Sequence, residues 1–596
     1  MNMLEWIRRE TRYLRRLLRL LIKIKPVDPA SPNLVCDDLE ASVRRWPDHV
    51  AIELDDQCLT YAELDALANR FANWGLAQGL KRGDTVALFL PNRLDYVACW
   101  YGLNKIGVIS ALINYSLAGN ALAHCIRIAD AKALICDPTT LPALSGPDGS
   151  PVSELPVWCL DLKADGPASR ALSPVLDKLS TTRPERSLRR GMTARDVAMY
   201  IYTSGTTGLP KAAKISHIRA QLYMRAFSGM TEASEKDRVY VALPLYHSTG
   251  GLCGVGAALM SGGTLVLKRR FSASQFWDDI ISKQCTMFVY IGELCRYLVN
   301  QAPSAKEKQH KLRLIFGNGL RPDVWEQFDE RFGITDVVEF YGSTEGNVQV
   351  LNLDGKTGAI GRVPAYLKTQ FNIRLVRFNF ETEEPERDAN GRCIPCKPDE
   401  VGEAIGLIKQ DARHNFSGYA DKAASEKKIL RDVYAPGDQW FRTGDLMKQD
   451  ADGYFYFVDR VGDTFRWKGE NVSTLEVAEH LTGVPGLLET TVYGVPVGQL
   501  EGKAGMVALV VTDGFDLKQF AAHVDRCLPV YARPVFVRLL QDLETTGTFK
   551  YRKVDLVRDG FDPDKTEDPL FVREGDTYRP ITADLHPTLI TPGYRY

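Results

Sequence analysis

No run of eighteen uninterrupted apolar residues occurs in this chain of 596 residues, the length a helical membrane span demands. The nearest stretch, 96–115, is broken by Asn104, Lys105 and glycines, and reads as a buried helix running into a strand at 108–112. Charge of one sign is also missing: 74 basic residues meet 75 acidic ones, so the chain as a whole carries no field that favours nucleic acid. The 12 cysteines lack framework spacing, which points to a reducing compartment and free thiols. One pair, Cys393 and Cys396, has the C-x-x-C spacing, but it lacks two further ligands for zinc. Its flanks Arg392, Pro395, Lys397 and Pro398 read as an exposed turn. Internal repeats and long low-complexity tracts are absent too.

What is present is an ordinary globular composition, 45% hydrophobic and 25% charged, on a chain too long for one core. At least two domains are expected. Residues 1–26 form a basic amphipathic helix: Leu4, Ile7, Leu14, Leu17, Leu18 and Leu21 recur at helical spacing, and Arg8, Arg12, Arg15, Arg19 and Lys23 follow a second track. Trp6 and Tyr13 suit the headgroup level of a bilayer, and Pro26 and Pro29 end the helix. Arg19 and Lys23 interrupt what a secretory signal would need. The pattern favours the anionic surface of a membrane through residues 1–25, with docking on the protein itself or on a second subunit as the alternatives. Residues 27–459 alternate short apolar runs with helical patterns, as an α/β domain does. Thr60 to Glu63 is a capping box opening a helix with Leu64, Leu67, Phe71 and Trp74 on one face. Strands are expected at 85–90 and 132–136, and surface excursions at 137–192. Residues 460–596 read as a small α+β domain, with strands at 490–495 and 506–511 and a helix at 517–527. Gly462 lets the backbone swivel where the two meet.

The most informative stretch is 200–211, Tyr-Ile-Tyr-Thr-Ser-Gly-Thr-Thr-Gly-Leu-Pro-Lys. An apolar strand leads into hydroxyls and glycines closed by a lysine. Glycines admit close approach of amides to oxygen atoms, hydroxyls donate more bonds, and Lys211 adds charge, which together make a cradle for a polyphosphate. The glycines are too close together for a Walker A loop, and Ala212 follows the lysine.

This loop resembles the signature of the adenylate-forming, AMP-binding superfamily. Tyr341-Gly-Ser-Thr-Glu-Gly346, Phe441-Arg-Thr-Gly-Asp445 and Asp459-Arg460 resemble it in the same order. Thr443 to Ser473, Tyr246-His-Ser, Cys393 to Pro398 and Thr546-Gly-Thr-Phe-Lys550 are similar to the fatty acid transport protein and very-long-chain acyl-CoA synthetase branch. The resemblance implies an α/β fold: a large multi-sheet N-terminal adenylate-forming domain plus a small mobile α+β C-terminal domain. It implies a ligase that uses ATP and Mg2+ to adenylate a medium- to very-long-chain fatty acid and passes the acyl group to coenzyme A. Another acid (bile acid or carnitine-like), loading of a carrier protein, and a lipid-uptake protein with minor catalysis are the alternatives.

The same resemblance distributes roles. Thr203, Ser204, Gly205, Thr206, Thr207, Gly208 and Lys211 hold the β- and γ-phosphates. Thr344 and Glu345 meet the α-phosphate and the metal, with Glu345 as the magnesium ligand. Tyr341 stacks on adenine, with Gly317, Asn318 and Gly319 on its other side. Asp445 accepts the ribose hydroxyls, Arg460 binds ribose or phosphate, and His247 lines the acyl pocket. Lys550 reaches the carboxylate and α-phosphate, although Phe549 stands where glycine is usual. Trp467, Lys468 and Gly469 face CoA, with the small domain turning about 459–462. Ser473 and Glu476 have the spacing of a helix start. The expected setting is peripheral, on the cytoplasmic face of a membrane, with a homodimer admitted.

Overall fold

Two mainly parallel sheets occupy the first of two compact units in the computed structural model. That unit comprises 1–372, 406–430 and 439–441; the second comprises 373–405, 431–438 and 442–596. The structure describes all residues except 1–2, 25–27, 146–151, 167–168, 204–208, 381, 410, 412–413, 469, 499, 501, 544–552, 592–593 and 595.

The larger sheet of the first unit has, among the described residues, eight strands. Strands Val337–Gly342, Leu314–Asn318, Met287–Ile291, Arg238–Val241, Thr264–Leu267 and Val50–Leu54 run parallel in that spatial order. Gln349–Asn352 and Gln57–Thr60 close the two edges antiparallel. The parallel strands are nearly continuous Val, Ile, Leu and Phe because both faces are covered, and nearly every residue of them is buried. Arg238–Val241 pairs with Thr264–Leu267 on one side and Met287–Ile291 on the other, so chain order reverses there. Crevices at such reversals, beyond the carboxyl ends of strands, are where open α/β sheets bind ligands.

The second sheet of this unit has seven strands, parallel except for the antiparallel pair Val197–Thr203 with Lys211–Ser216. Its strands Thr85–Phe89, Ile109–Leu112 and Ala131–Cys136 stand within a residue or so of the expected positions. Helix Tyr61–Ala77 starts at the expected capping box, Thr60 accepting from the Glu63 amide and Glu63 accepting from the Thr60 amide at 2.8 Å. Leu64, Phe71 and Trp74 are buried on one face, as the spacing predicts.

Helix Met3–Lys23 does not stand free. Tyr13, Arg16 and Leu20 are buried against the first unit. Arg16 donates to Asp336 at 2.5 Å and to the Leu353 carbonyl at 3.0 Å, and Glu10 meets Arg362 at 2.7 Å. Three members of the basic track, Arg12, Arg15 and Arg19, lie 3.8, 2.7 and 3.2 Å from Asp336 and Glu232. Two faces were legible in the pattern; the helix has three, the third made by the few residues that dock.

In the second unit a five-stranded sheet runs Leu487–Val495, Ala504–Val511, Phe536–Leu540, Leu570–Glu574, Thr577–Pro580. Helices Thr474–His480 and Leu517–Cys527 stand at the expected places. This lobe has a core of its own, from Phe465 and Trp467 to Leu589. Asp459 to Gly462 lie in the same unit, on the end of strand Tyr454–Arg460 and in the turn beyond it. Cys393, expected in an exposed turn, is instead buried: its amide bonds to the Val433 carbonyl at 2.9 Å, and Arg387 and Cys393 form a bridge. No cluster of three or more His, Cys, Asp or Glu able to hold a metal occurs among the described residues.

Candidate active site

The phosphate-loop candidate is flanked by register partners. Thr203 and Lys211 face each other at the ends of the antiparallel pair, so 204–208 join two strands. Ser204, Gly205, Thr206, Thr207 and Gly208 lie outside the described residues, as do Gly469 and Lys550. Lys211 points its ammonium over the ring of Tyr419, 5.5 Å from the centroid. The Tyr419 hydroxyl donates to Oε1 of Glu345 at 2.6 Å. Burial, with the Glu345 carboxylate beside it, pushes the Tyr419 phenol far above its ordinary range, so it stays a donor.

Glu345 belongs to the turn that follows strand Val337–Gly342. Arg219, on helix His217–Met230, holds that turn: its guanidinium donates to the carbonyls of Ser343 at 2.9 Å, Glu345 at 3.4 Å and Gly346. Tyr223, one helical turn on, donates to the Ser343 carbonyl at 3.3 Å. Within the turn, the Ser343 hydroxyl accepts from the Gly346 amide at 3.1 Å. Thr344 Oγ1 lies 3.2 Å from Ser248 Oγ, and Thr249 donates to Asn318 at 3.5 Å. These bonds join three chain segments: the one carrying His247, the 317–319 turn and the 341–346 motif.

His247 follows strand Arg238–Val241, where the sheet order reverses. Its ring packs 4.4 Å from that of Tyr246, and its carbonyl accepts from the Gly251 amide at 2.7 Å. A π-helix follows at Thr249–Gly254, a wide turn often found at functional sites. Asn92 ties down the segment before it, donating to Leu243 and Lys268 carbonyls at 2.9 Å each and accepting from the Leu245 amide at 2.9 Å. Tyr341 is the penultimate residue of strand Val337–Gly342, half-buried; Gly317 and Asn318 end the adjacent strand and Gly319 turns away with φ +79°.

In the second unit, Asp445 and Arg460 are register partners on antiparallel strands, with Nε of Arg460 3.5 Å from the carboxylate. Thr443 braces Asp445, its hydroxyl accepting from the Asp445 amide at 3.0 Å and donating to the Ala404 carbonyl at 2.7 Å. Asp459 is buried, collecting the Thr474 amide at 2.7 Å and the hydroxyls of Ser473 and Thr474 at 3.1 Å. Burial raises its carboxyl even so. Gly462 has φ +91° and open space where a Cβ would stand. Trp467 is buried with its ring 6.0 Å from that of Tyr596, and the Lys468 ammonium donates to the Tyr596 carbonyl at 2.8 Å.

Sequence reasoning missed Arg219, Tyr223, Ser248 and Tyr419. Each acts on a residue 74 or more positions away, and of the four only Ser248 stands in a segment the sequence singles out, Tyr246-His-Ser.

The assembled donors can hold a polyphosphate and a hard cation: hydroxyls at Thr203, Thr344 and Ser248, a lysine at 211, and a carboxylate at 345 with lone pairs beyond the one Tyr419 uses. Comparison with known proteins agrees with that chemistry. The model of the AMP-binding enzyme family matches residues 39–376, and that of the AMP-binding enzyme C-terminal domain matches 476–550. Long-chain fatty acid transport protein 1 of Mus musculus is 42% identical over 582 residues, 96% of this chain and 89% of the relative. Long-chain fatty acid transport protein 3 of Homo sapiens is 44% identical over 527 residues, 87% and 76% of the two chains. Among solved structures, an anthranilate CoA ligase in complex with anthranoyl-AMP shares the fold at TM-score 0.72, 21% identity and coverage of 87% and 95%. A Mycobacterium tuberculosis fatty acyl CoA synthetase does so at TM-score 0.61, 22% identity and coverage of 88% and 98%. With both family models in order along one chain, and relatives above 40% identity over most of its length, the protein belongs to the AMP-binding enzymes and, among them, to the family of the long-chain fatty acid transport proteins.

Proposed function

We propose that this protein is an ATP-dependent acid–thiol ligase that activates long- to very-long-chain fatty acids as acyl adenylates and transfers the acyl group to coenzyme A. One observation carries the reading: the Glu345 carboxylate, the Tyr419 phenol and the Lys211 ammonium meet at a turn whose Thr344 hydroxyl adjoins the His247 segment. The names of the relatives supply the substrate class.

In the first half-reaction a carboxylate oxygen bonds to the α-phosphorus of ATP and the bond to pyrophosphate breaks. In the second, the CoA sulfur bonds to the acyl carbon, the mixed anhydride breaks and AMP leaves. Positive charge and N–H or O–H donors are needed where negative charge gathers. Lys211 and the 203–208 loop serve the β- and γ-phosphates, Thr344 the α-phosphate, and Lys550 the reacting oxygens. Tyr341 and the 317–319 turn take adenine, and Asp445 with Arg460 the ribose. Glu345 would hold magnesium, which when bound offsets the charge of the polyphosphate. Trp467, Lys468 and Gly469 serve the CoA half-reaction, and Gly462 supplies the freedom for the chain after 459–462 to turn between the two.

No helix among the described residues is long and apolar enough to cross a membrane. The Met3–Lys23 helix nonetheless leaves Met3, Ile7, Leu14, Leu18 and Leu21 exposed on one face, with Trp6 and Ile22 beside it. That stripe, bordered by arginines, supports peripheral attachment to an anionic, cytoplasmic membrane surface, where fatty acid is concentrated.

Pyrophosphate release across acids, with and without CoA, tests the ligase. A chain-length profile peaking at long chains, with CoA-dependent turnover, is expected. Release with short or steroidal acids only, or product on a carrier protein, would transfer the assignment to another acid or thiol, and no release would leave a lipid binder. Lys550→Ala should abolish acyl-AMP formation while attack of CoA on supplied acyl-AMP survives; equal loss of both sinks the division of labour.

A further inference from the structure

Strand Val337–Gly342, otherwise apolar at its buried positions, carries a carboxylic acid two residues before Tyr341. Glu339 is 1% exposed. Burying an acid is costly unless donors satisfy it. Three do: the amides of Gly319 and Leu320, the latter at 3.1 Å, and the hydroxyl of Tyr290. Burial still outweighs them and holds the carboxyl up to about 8.

The Tyr290 contact crosses a whole strand. Tyr290, Gly317 and Glu339 are register partners on three consecutive parallel strands. Neighbours in such a row point to the same face, so a side chain at 317 would block the path. A Cβ there would stand 2.7 Å from Cδ2 of Tyr290 and 2.1 Å from its carbonyl oxygen. Glycine lets the Tyr290 ring lie across the middle strand and reach the acid beyond it. The acid in turn holds the two amides that follow Asn318, where Gly319 takes φ +79°, a conformation that a tight turn needs and the backbone alone does not enforce.

We infer that Glu339, braced by Tyr290 across Gly317, is a positioning residue that sets the 317–319 turn relative to Tyr341 and so the affinity of the site for the adenine end of its nucleotide. The inference rests on the proposed adenylating function. Glu339 need touch no substrate; it fixes two walls, one through its side chain and one through its own strand, at a constant separation.

The test is a set of variants of the full chain, read by equilibrium binding of AMP in calorimetry, by separate KM values for ATP and fatty acid, and by thermal unfolding. Glu339→Ala should weaken AMP binding and raise the ATP KM roughly tenfold, because buried amides and a phenol lose their acceptor. The fatty acid KM should stay within about twofold. Glu339→Gln should restore nucleotide affinity to within about threefold, since an amide can accept from Leu320 and still pair with Tyr290. Tyr290→Phe should lie between. Unaltered AMP affinity in both Glu339→Ala and Tyr290→Phe, whatever their unfolding midpoints, overturns the inference, as does an equal rise of both KM values. Should Glu339→Ala fail to fold, Tyr290→Phe decides alone by the same criterion. Wild-type protein that binds no AMP or ATP would instead sink the underlying function.

Discussion

The phenol of Tyr419 donates to Glu345 at 2.6 Å while its ring faces the ammonium of Lys211, so one aromatic residue touches both an acid and a base of the candidate site. Tyr419→Phe keeps the ring under the ammonium and removes only the donor. Acyl-AMP formation should fall roughly tenfold, with the half-saturating magnesium concentration shifted. A magnesium titration of pyrophosphate release checks this; a profile identical to wild type would show that the bond orients nothing.

Arg219 braces the 343–346 turn through three carbonyls. Arg219→Ala removes this fork, while the Tyr223 hydroxyl still donates to the Ser343 carbonyl. Adenylation efficiency should drop about 10- to 100-fold, measured as kcat/KM for ATP. Arg219→Lys should recover only part of it, because a point charge cannot span several carbonyls at once. Full recovery by lysine would reduce the residue to a source of charge.

His217 begins the helix that carries Arg219, and it is 1% exposed. Burial, with Arg189 nearby, depresses its imidazole from the ordinary 6.5 to about 3; Asp196 and Asp37 pull the other way. A folded value below the unfolded one means stability that is complete above about pH 6.5 and is lost as pH falls towards 3. The loss should reach up to about 5 kcal/mol at the acid end. His217→Gln should flatten the decline between pH 7 and pH 4 in denaturant titrations, even with a lower stability at pH 7. An unchanged slope would place the acid sensitivity in the carboxylates instead.

On the N-terminal helix, docking and exposure can be separated. Arg16 is wholly buried against the partly exposed Asp336 and the Leu353 carbonyl, so Arg16→Ala removes a charged hydrogen bond and leaves a buried carbonyl without this donor, while Arg12 stays 3.8 Å from Asp336; it should cost about 1–3 kcal/mol in unfolding experiments. Leu18 is 58% exposed. Leu14→Asp with Leu18→Asp should leave the unfolding midpoint nearly unchanged yet abolish co-flotation with phosphatidylserine vesicles. Vesicle binding that survives both changes would remove the stripe from the membrane.

Much of the fold was legible because its signals are local. The Thr60 and Ser473 helix starts, helix 517–527 and the buried strands of the first unit each depend on residues within a turn or a strand of one another. The 341–346 motif was legible for the same reason. The burial of Cys393 was not, since its flanking charges and prolines describe the surface while the Val433 carbonyl it meets lies 40 positions away.

By itself the order of residues determined which segments form helices and strands, because periodicity and caps act over a few bonds. Only the tertiary structure decided that Tyr419 and Arg219 serve Glu345, that a glycine at 317 lets Tyr290 reach Glu339, and which side of the first helix faces the protein. Those contacts join residues brought together by crossovers between parallel strands, and no spacing along the chain encodes the distance between them.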